Sequence, residues 1–248
     1  MLQLTKDVIQ WIKDYYKDNP NGKAIIGISG GKDSTICAAL LVEALGADRV
    51  VGILMPNGEQ NDIDDSYKIC RYLGIEYHCI DISLAYQALT TSLRYAIGKN
   101  HLNSVFTTNT PSRLRMTTLY GVAALYPNSR VVNTSNFSER YIGYSTKYGD
   151  GAGDFSPLGE LTVCEVLMIG DDLGLPHDLV YKTPSDGMSG KSDEEKIGFT
   201  YDELDSYILY GDGVSPDTAD KIKKMHKANE HKLKDMPRFV PMGRSAWI

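Results

Sequence analysis

The chain has 248 residues, 42% of them hydrophobic and 23% charged, the proportions of a globular protein large enough for one sizeable domain. A formal charge of −6 argues against a generic nucleic-acid surface, so an anionic ligand needs cations gathered locally. No uninterrupted apolar run approaches membrane length, and the four cysteines (Cys37, Cys70, Cys79, Cys164) lack a Cys-x-x-Cys pairing and read as buried, reduced thiols of a cytoplasmic protein.

In chain order, "MLQLTKDVIQWIKDYYKD" is charged throughout, which excludes a signal peptide. It reads as an amphipathic helix with Val8, Ile12 and Tyr16 on one face. "KAIIGIS" is a β-branched apolar run, a buried strand. "STICAALLVEALG" has helical spacing and stops on Gly46. "RVVGILM" predicts a strand, "DIDDSYKICRYLG" a helix, "IEYHCIDI" a strand and "LAYQALTTSLRYAIG" a helix. After a turn-like "NTP", "SRLRMTTLYGVAALY" predicts a helix leading into a strand "RVVNTS". Such alternation specifies an α/β fold, a mainly parallel sheet with helices on both faces, and residues 1–248 read as one domain.

The second half changes character. "NFSERYIGYSTKYGDGAGDFSPLGE" lacks clean periodicity but carries Phe137, Tyr141, Tyr144, Tyr148 and Phe155. Disordered segments are poor in aromatics, so this one is expected to be an ordered binding loop. "KTPSDGMSGKSDEEKIG", broken by Pro184, Gly187 and Gly190, reads as a mobile lid. "TYDELDSYILY" and "SPDTADKIKKMHKANEHKL" are helices with start signals at Thr200–Glu203 and Ser215–Pro216.

Between the first strand and helix stands "GISGGKDS", Gly27 to Ser34. A strand, a glycine turn and a helix start gather free backbone N–H groups at the positive end of a helix, which makes an anion site. Two familiar phosphate loops are excluded. Ile26 occupies the first glycine position of a Walker pattern and Asp33 follows Lys32, while the spacing fails Gly-x-Gly-x-x-Gly. A carboxylate in a phosphate cradle repels its ligand unless a cation sits between them, so Asp33 implies Mg2+. The competing reading is a solvated turn at a strand end.

The loop resembles the pyrophosphate-binding Ser-Gly-Gly-x-Asp-Ser motif of ATP pyrophosphatases. With "RLRM", "NTSNFSE", "STKYGDGAGDFSPL", "KTPSDGMSGKSDEEKIGFTYDELD" and "NEHK", the chain resembles ammonia-dependent NAD synthetases over nearly its whole length. The resemblance implies an adenine nucleotide alpha-hydrolase-like, doubly wound fold. It implies that ATP adenylates deamido-NAD and that ammonia then displaces AMP to give NAD. It implies that Gly27, Ile28, Ser29, Gly30, Gly31, Lys32, Asp33 and Ser34, with Thr134 and Ser185, bind ATP, and that Asp33 and Glu139 hold Mg2+. Arg113, Lys147, Asp154, His231 and Lys232 would bind deamido-NAD, and Asp150 would hold ammonium or accept its proton. The family's homodimeric state is also implied, with "SRLRMTTLYGVAALY" a candidate surface.

Three positions depart from the pattern. Asn133 stands where a glycine is usual, Ser185 replaces a threonine, and Val163 replaces a lysine near the ATP phosphates. Pyrophosphate then needs another cation. Lys191 and Lys182 are the candidates, with Lys191 favoured because a lid carries it over bound ATP. The alternatives are that both are solvated lysines, that Glu139 and Lys147 are ordinary surface charges, and that His231 merely favours a helix C-terminus. No second domain with a nucleophilic cysteine is evident, so ammonia is expected from solution or a separate protein. The rival functions are adenylation of a different acceptor and a non-catalytic nucleotide sensor; keeping both Asp33 and Glu139 weighs against a sensor.

Overall fold

The computed structural model describes residues 1–60, 63–98, 101–181 and 193–241. Helix α1 (Gln3–Tyr15) precedes strand β1 (Ala24–Gly27), helix α2 (Lys32–Leu45), strand β2 (Val50–Leu54), helix α3 (Ile63–Leu73) and strand β3 (Glu76–Cys79). Helices α4 (Ser83–Ile97) and α5 (Ser104–Ala123) lead to strand β4 (Arg130–Val131). The elements that follow among the described residues are helices: α6 (Phe137–Ile142), α7 (Val163–Asp172), α8 (His177–Val180), α9 (Asp193–Ile197), α10 (Tyr201–Tyr210) and α11 (Pro216–Leu233).

The four strands are parallel in the order β3-β2-β1-β4. From β1 the chain winds outward to β2 and β3, then crosses back to lay β4 on β1's other edge. That reversal between β1 and β4 is the switch point at which doubly wound sheets bind ligands, beyond the carboxyl ends of the strands.

Alternation along the strands feeds two cores. Ile26, Val50 and Leu54 pack with Ile12 of α1, Leu40 of α2 and Ile169 of α7. Ile25, Val51 and Ile53 pack on the other face against Met116 and Leu119 of α5. Each fully buried aliphatic side chain contributes about 1.5–3 kcal/mol relative to exposure. Val8, Ile12 and Tyr16 are buried as expected. A third cluster joins Ile142, Val163, Ile197, Tyr201, Leu204 and Ile222, so the C-terminal helices carry a small core of their own.

Several expectations need correction. Helix α5 starts at Ser104 and runs through Pro111, so "NTP" is no turn. Asn103 caps the helix by accepting from the Phe106 N–H at 2.9 Å. Thr110 and Pro111 lie on the buried face, so packing overrides the proline's local bias. Strand β4 has only two residues. The long aperiodic segment contains α6, six residues that are too short to show periodicity and are set by their ends. Asn136 accepts from the Glu139 N–H at 2.9 Å, and Gly143 closes the helix with φ of +63°. Cys37 and Cys70 are buried free thiols, whereas Cys79 is exposed and Cys164 half-buried. The expected caps are present: Thr200 and Glu203 bond reciprocally, and Ser215 accepts from the Thr218 N–H. No helix among the described residues is long and apolar enough to cross a membrane.

Candidate nucleotide and acceptor site

A cavity of about 880 Å³ opens at the switch point. Gly27, Ile28 and Ser29 line it from the end of β1, and Asn133, Thr134 and Glu139 from the segment after β4. The loop is tied by its serines. Ser29 Oγ accepts from the Gly31 N–H at 3.2 Å and lies 3.1 Å from Ser34 Oγ, and the Ser34 hydroxyl donates to the Gly31 carbonyl at 3.1 Å. Gly30 takes φ of +77°, and a Cβ there would meet Asp65 Cβ at 3.1 Å and Ser66 N at 3.2 Å. The turn therefore needs glycine both for its backbone angle and for this close approach.

Gly30 to Ser34 continue from Ser29 and are not themselves part of the cavity lining. Lys32 is only 7% exposed, bonded to Asp33 at 2.8 Å and set 5.4 Å from the centre of the Tyr201 ring. Burial opposes its charge, yet the Asp33 and Glu139 carboxylates outweigh that and hold its pKa above the ordinary value. Asp33 also accepts from the Asn136 side-chain N–H at 3.0 Å. Asn136 is thus a bracket: one end of its amide holds Asp33 and the other caps the helix that carries Glu139. Burial first, and the Asp33 charge second, push the Glu139 carboxyl up to about 8. Two crowded carboxylates that both prefer a positive neighbour fit a hard divalent cation with oxygen ligands. Among the described residues no group of three or more His, Cys, Asp or Glu could hold a metal alone. Two carboxylates leave coordination positions for phosphate oxygens and water, the usual manner of Mg2+.

Asp150 lines the same cavity. Its carboxylate accepts from the Ser112 hydroxyl and from the Thr146 N–H at 3.1 Å. Asn133 secures this loop by donating to the carbonyls of Asp150 at 2.6 Å and Ala152 at 2.9 Å. A Cβ on Gly153 would lie 2.8 Å from Asn133 Cβ, so the larger residue at 133 is accommodated by bare backbone opposite.

Four residues expected at the acceptor end come together. Arg113 donates to the Lys147 carbonyl at 3.2 Å, and Lys147 Nζ donates to the His231 carbonyl at 2.6 Å. Lys232, which lines the cavity, donates to the carbonyls of Gly143 and Ser145 at 2.8 and 2.9 Å. Burial lowers its pKa. Asp154 stands apart. It is absent from the cavity lining and accepts from the Val131 N–H at 2.7 Å and the Tyr120 hydroxyl at 3.1 Å. Lys182, Ser185 and Lys191, with most of the expected lid, lie outside the described residues. Val163 is buried in the third core cluster.

Residue-level reading missed several members of the site. Asn136 had a signal, an Asn three residues before an acid at a helix start. Arg115, in the motif "RLRM", lines the cavity too; Ser112, Asp193 and Lys196 also line it, and nothing local in the sequence marks those three for it.

Comparison with known proteins places this arrangement. A family profile described as NAD synthase matches residues 4–237. An NH(3)-dependent NAD(+) synthetase of Carboxydothermus hydrogenoformans is 37% identical, with 96% of each chain aligned. Among solved structures, the NMN synthetase of Francisella tularensis superposes with a TM-score of 0.86 at 33% identity, covering 97% of this chain and 98% of that one. The NH3-dependent NAD synthetase of Campylobacter jejuni superposes with a TM-score of 0.79 at 28% identity, covering 96% and 98%. A glycine-turn loop and a bracketed carboxylate pair at the switch point of a parallel sheet are thus found in a chain that belongs to the NAD synthase family.

Proposed function

We propose that this chain amidates deamido-NAD with ammonia at the expense of ATP, releasing NAD, AMP and pyrophosphate. The observation that carries the reading is the Asn136 bracket, which sets Asp33 and Glu139 beside the cavity that Asp150 also lines. A nicotinate carboxylate resists ammonia until its oxygen becomes a good leaving group. A carboxylate oxygen therefore attacks the α-phosphorus, the α–β bridging bond breaks, and pyrophosphate departs. Ammonia then attacks the acyl carbon and AMP leaves with the former carboxylate oxygen.

Asp33 and Glu139 would hold Mg2+, which would neutralise phosphate charge as pyrophosphate forms. The loop from Gly27 to Ser34 and Thr134 would orient ATP. Arg113, Lys147, His231 and Lys232 would engage the acceptor, and Asp154 would reach it from outside the described cavity. Asp150, fixed by Ser112 and Thr146, would accept a proton from ammonium, since only neutral ammonia attacks. A homodimer fits the exposed apolar residues of α4 and α5: Leu84, Tyr95, Ile97 and Val105 are all more than half exposed. A cytoplasmic enzyme is consistent with free thiols at all four cysteines.

The test is direct. The purified protein with ATP, Mg2+, ammonium and deamido-NAD is expected to form NAD and AMP in equal amounts, and glutamine is not expected to replace ammonium. Because one structural neighbour is named an NMN synthetase, the same assay offers nicotinate mononucleotide as a competing acceptor. Faster turnover of the mononucleotide would reassign the acceptor, and AMP release with neither acceptor would overturn the reading.

A further inference from the structure

Helix α6 has six residues, too few to persist without outside support, yet it carries Glu139. Its terminal carbonyls are accounted for one by one. The Glu139 and Arg140 carbonyls accept from the backbone N–H groups of Tyr144 and Gly143, both at 2.9 Å. The next three are served by side chains of α11. His226 Nδ1 donates to the Tyr141 carbonyl at 2.6 Å, the Asn229 amide to Ile142 at 2.9 Å and Lys232 Nζ to Gly143 at 2.8 Å.

These donors follow one another at helical spacing on one face of α11, and they meet successive carbonyls of the shorter helix. A carbonyl only accepts, so the bond places a proton on His226 Nδ1. The imidazole also stacks on the Tyr141 ring, with centroids 4.5 Å apart. Asn229 spends its amide N–H groups on Ile142 and on the Met225 carbonyl of its own helix. A Cβ on Gly143 would lie 2.3 Å from Asn229 Cβ, so the end of α6 rests directly on α11. At the other end stands Asn136, bonded to both the Glu139 N–H and Asp33.

We propose that His226 and Asn229 are positioning residues: by anchoring the carbonyl end of α6, they fix where the Glu139 carboxylate stands relative to Asp33. The inference rests on Asp33 and Glu139 holding Mg2+. His226 is absent from the cavity lining, so it acts through α6 and not by touching a ligand. Calorimetric titration with α,β-methylene-ATP, with and without Mn2+, measures the factor by which the metal strengthens nucleotide binding. A residue that only supports the fold moves both titrations together, whereas a displaced Glu139 lowers the metal factor.

Three variants separate the donor from the packing. His226→Phe keeps the stack and loses the donor, His226→Asn loses the ring but returns an N–H close to the place of Nδ1, and Asn229→Leu keeps volume without a donor. His226→Phe and Asn229→Leu are each expected to lower the metal factor about ten-fold, the lower end of what supports of metal ligands contribute, and His226→Asn to stay within about three-fold of wild type. Urea midpoints report folding, and Asn229→Leu, which leaves the stack intact, decides the matter if His226→Phe does not fold. An unchanged metal factor in either folded donor-less variant would overturn the proposal, as would an equal loss in all three variants. A Glu139→Gln protein that keeps the wild-type metal factor would overturn the metal assignment and this inference together.

Discussion

The sheet half of the molecule is held by apolar side chains that alternate between two faces, whereas the C-terminal helices add a buried polar junction to their small apolar cluster. Around β1 and β2 every strand side chain enters one of two aliphatic cores, and the ligand is offered mainly backbone. Across the cavity the junction of α6, α7 and α10 rests on Asp205, which is 4% exposed. Its carboxylate accepts from the Ser138 hydroxyl and from the Cys164 N–H, the latter at 2.8 Å, while Ser138 Oγ accepts from the Val163 N–H at 3.1 Å. Each half is therefore brittle in its own way. Aliphatic cores absorb volume-conserving exchange, but a polar junction fails when one partner is removed and the others stay buried.

The largest effect is expected at the rim that the two halves share. Asp33→Asn is expected to lower turnover on the order of a hundred-fold or more, because a metal-bearing carboxylate is lost. Its urea midpoint should also fall, since buried Lys32 loses its closest counter-charge. Retention of more than about a tenth of wild-type turnover would remove Asp33 from the catalytic machinery.

Next comes a paired test of brittleness. Asp205→Ala should cost about 3 kcal/mol of unfolding free energy, because it orphans the Ser138 hydroxyl and the Cys164 N–H together. Ile26→Val in the sheet should cost about 1 kcal/mol, the price of one buried methylene. Urea denaturation of both decides it, and equal losses would show that the polar junction is no more brittle than the aliphatic core.

The smallest effect belongs to the rim of the sheet. Glu76 on β3 accepts from Lys23 and from the Tyr126 hydroxyl, and these bonds, with a weaker one involving His78, hold its carboxyl down at about 2 from an ordinary 4.5. A depressed carboxylate stabilises the fold above its unfolded pKa, and that share is lost as pH falls from 4.5 through about 2. The group is 38% exposed, so screening keeps the gain below about 1 kcal/mol. Glu76→Gln should therefore lower the urea midpoint slightly at pH 7 and less at pH 3. An unchanged difference between the two pH values would show that the ion pair is idle.

The same contrast explains what could be read from the residues alone. Strands and helices from Ala24 to Ala123 announce themselves because their apolar periodicity is their packing. Pro111 misled because a local bias was overruled by burial, and α6 was hidden because its caps rather than its periodicity define it. In the site, the loop and Asp33 were legible from chemistry, since an acid in a phosphate cradle demands a cation. Glu139, Lys147 and His231 were identifiable only through family resemblance. Asp205 sits in "DELDSY" among other acids. Its role arises from Ser138 and Cys164, far away in the chain, which no local pattern encodes.

The two-residue strand β4 has a kinetic consequence. Its partner β1 lies roughly a hundred residues earlier in the chain, so pairing them closes a large loop, which is slow relative to local folding. That single closure brings Asn136 and Glu139 to Asp33. The candidate nucleotide site is therefore expected to assemble after the glycine turn has formed on its own strand. A ligand that spans both edges stabilises only the completed state, so it should slow unfolding far more than it speeds folding.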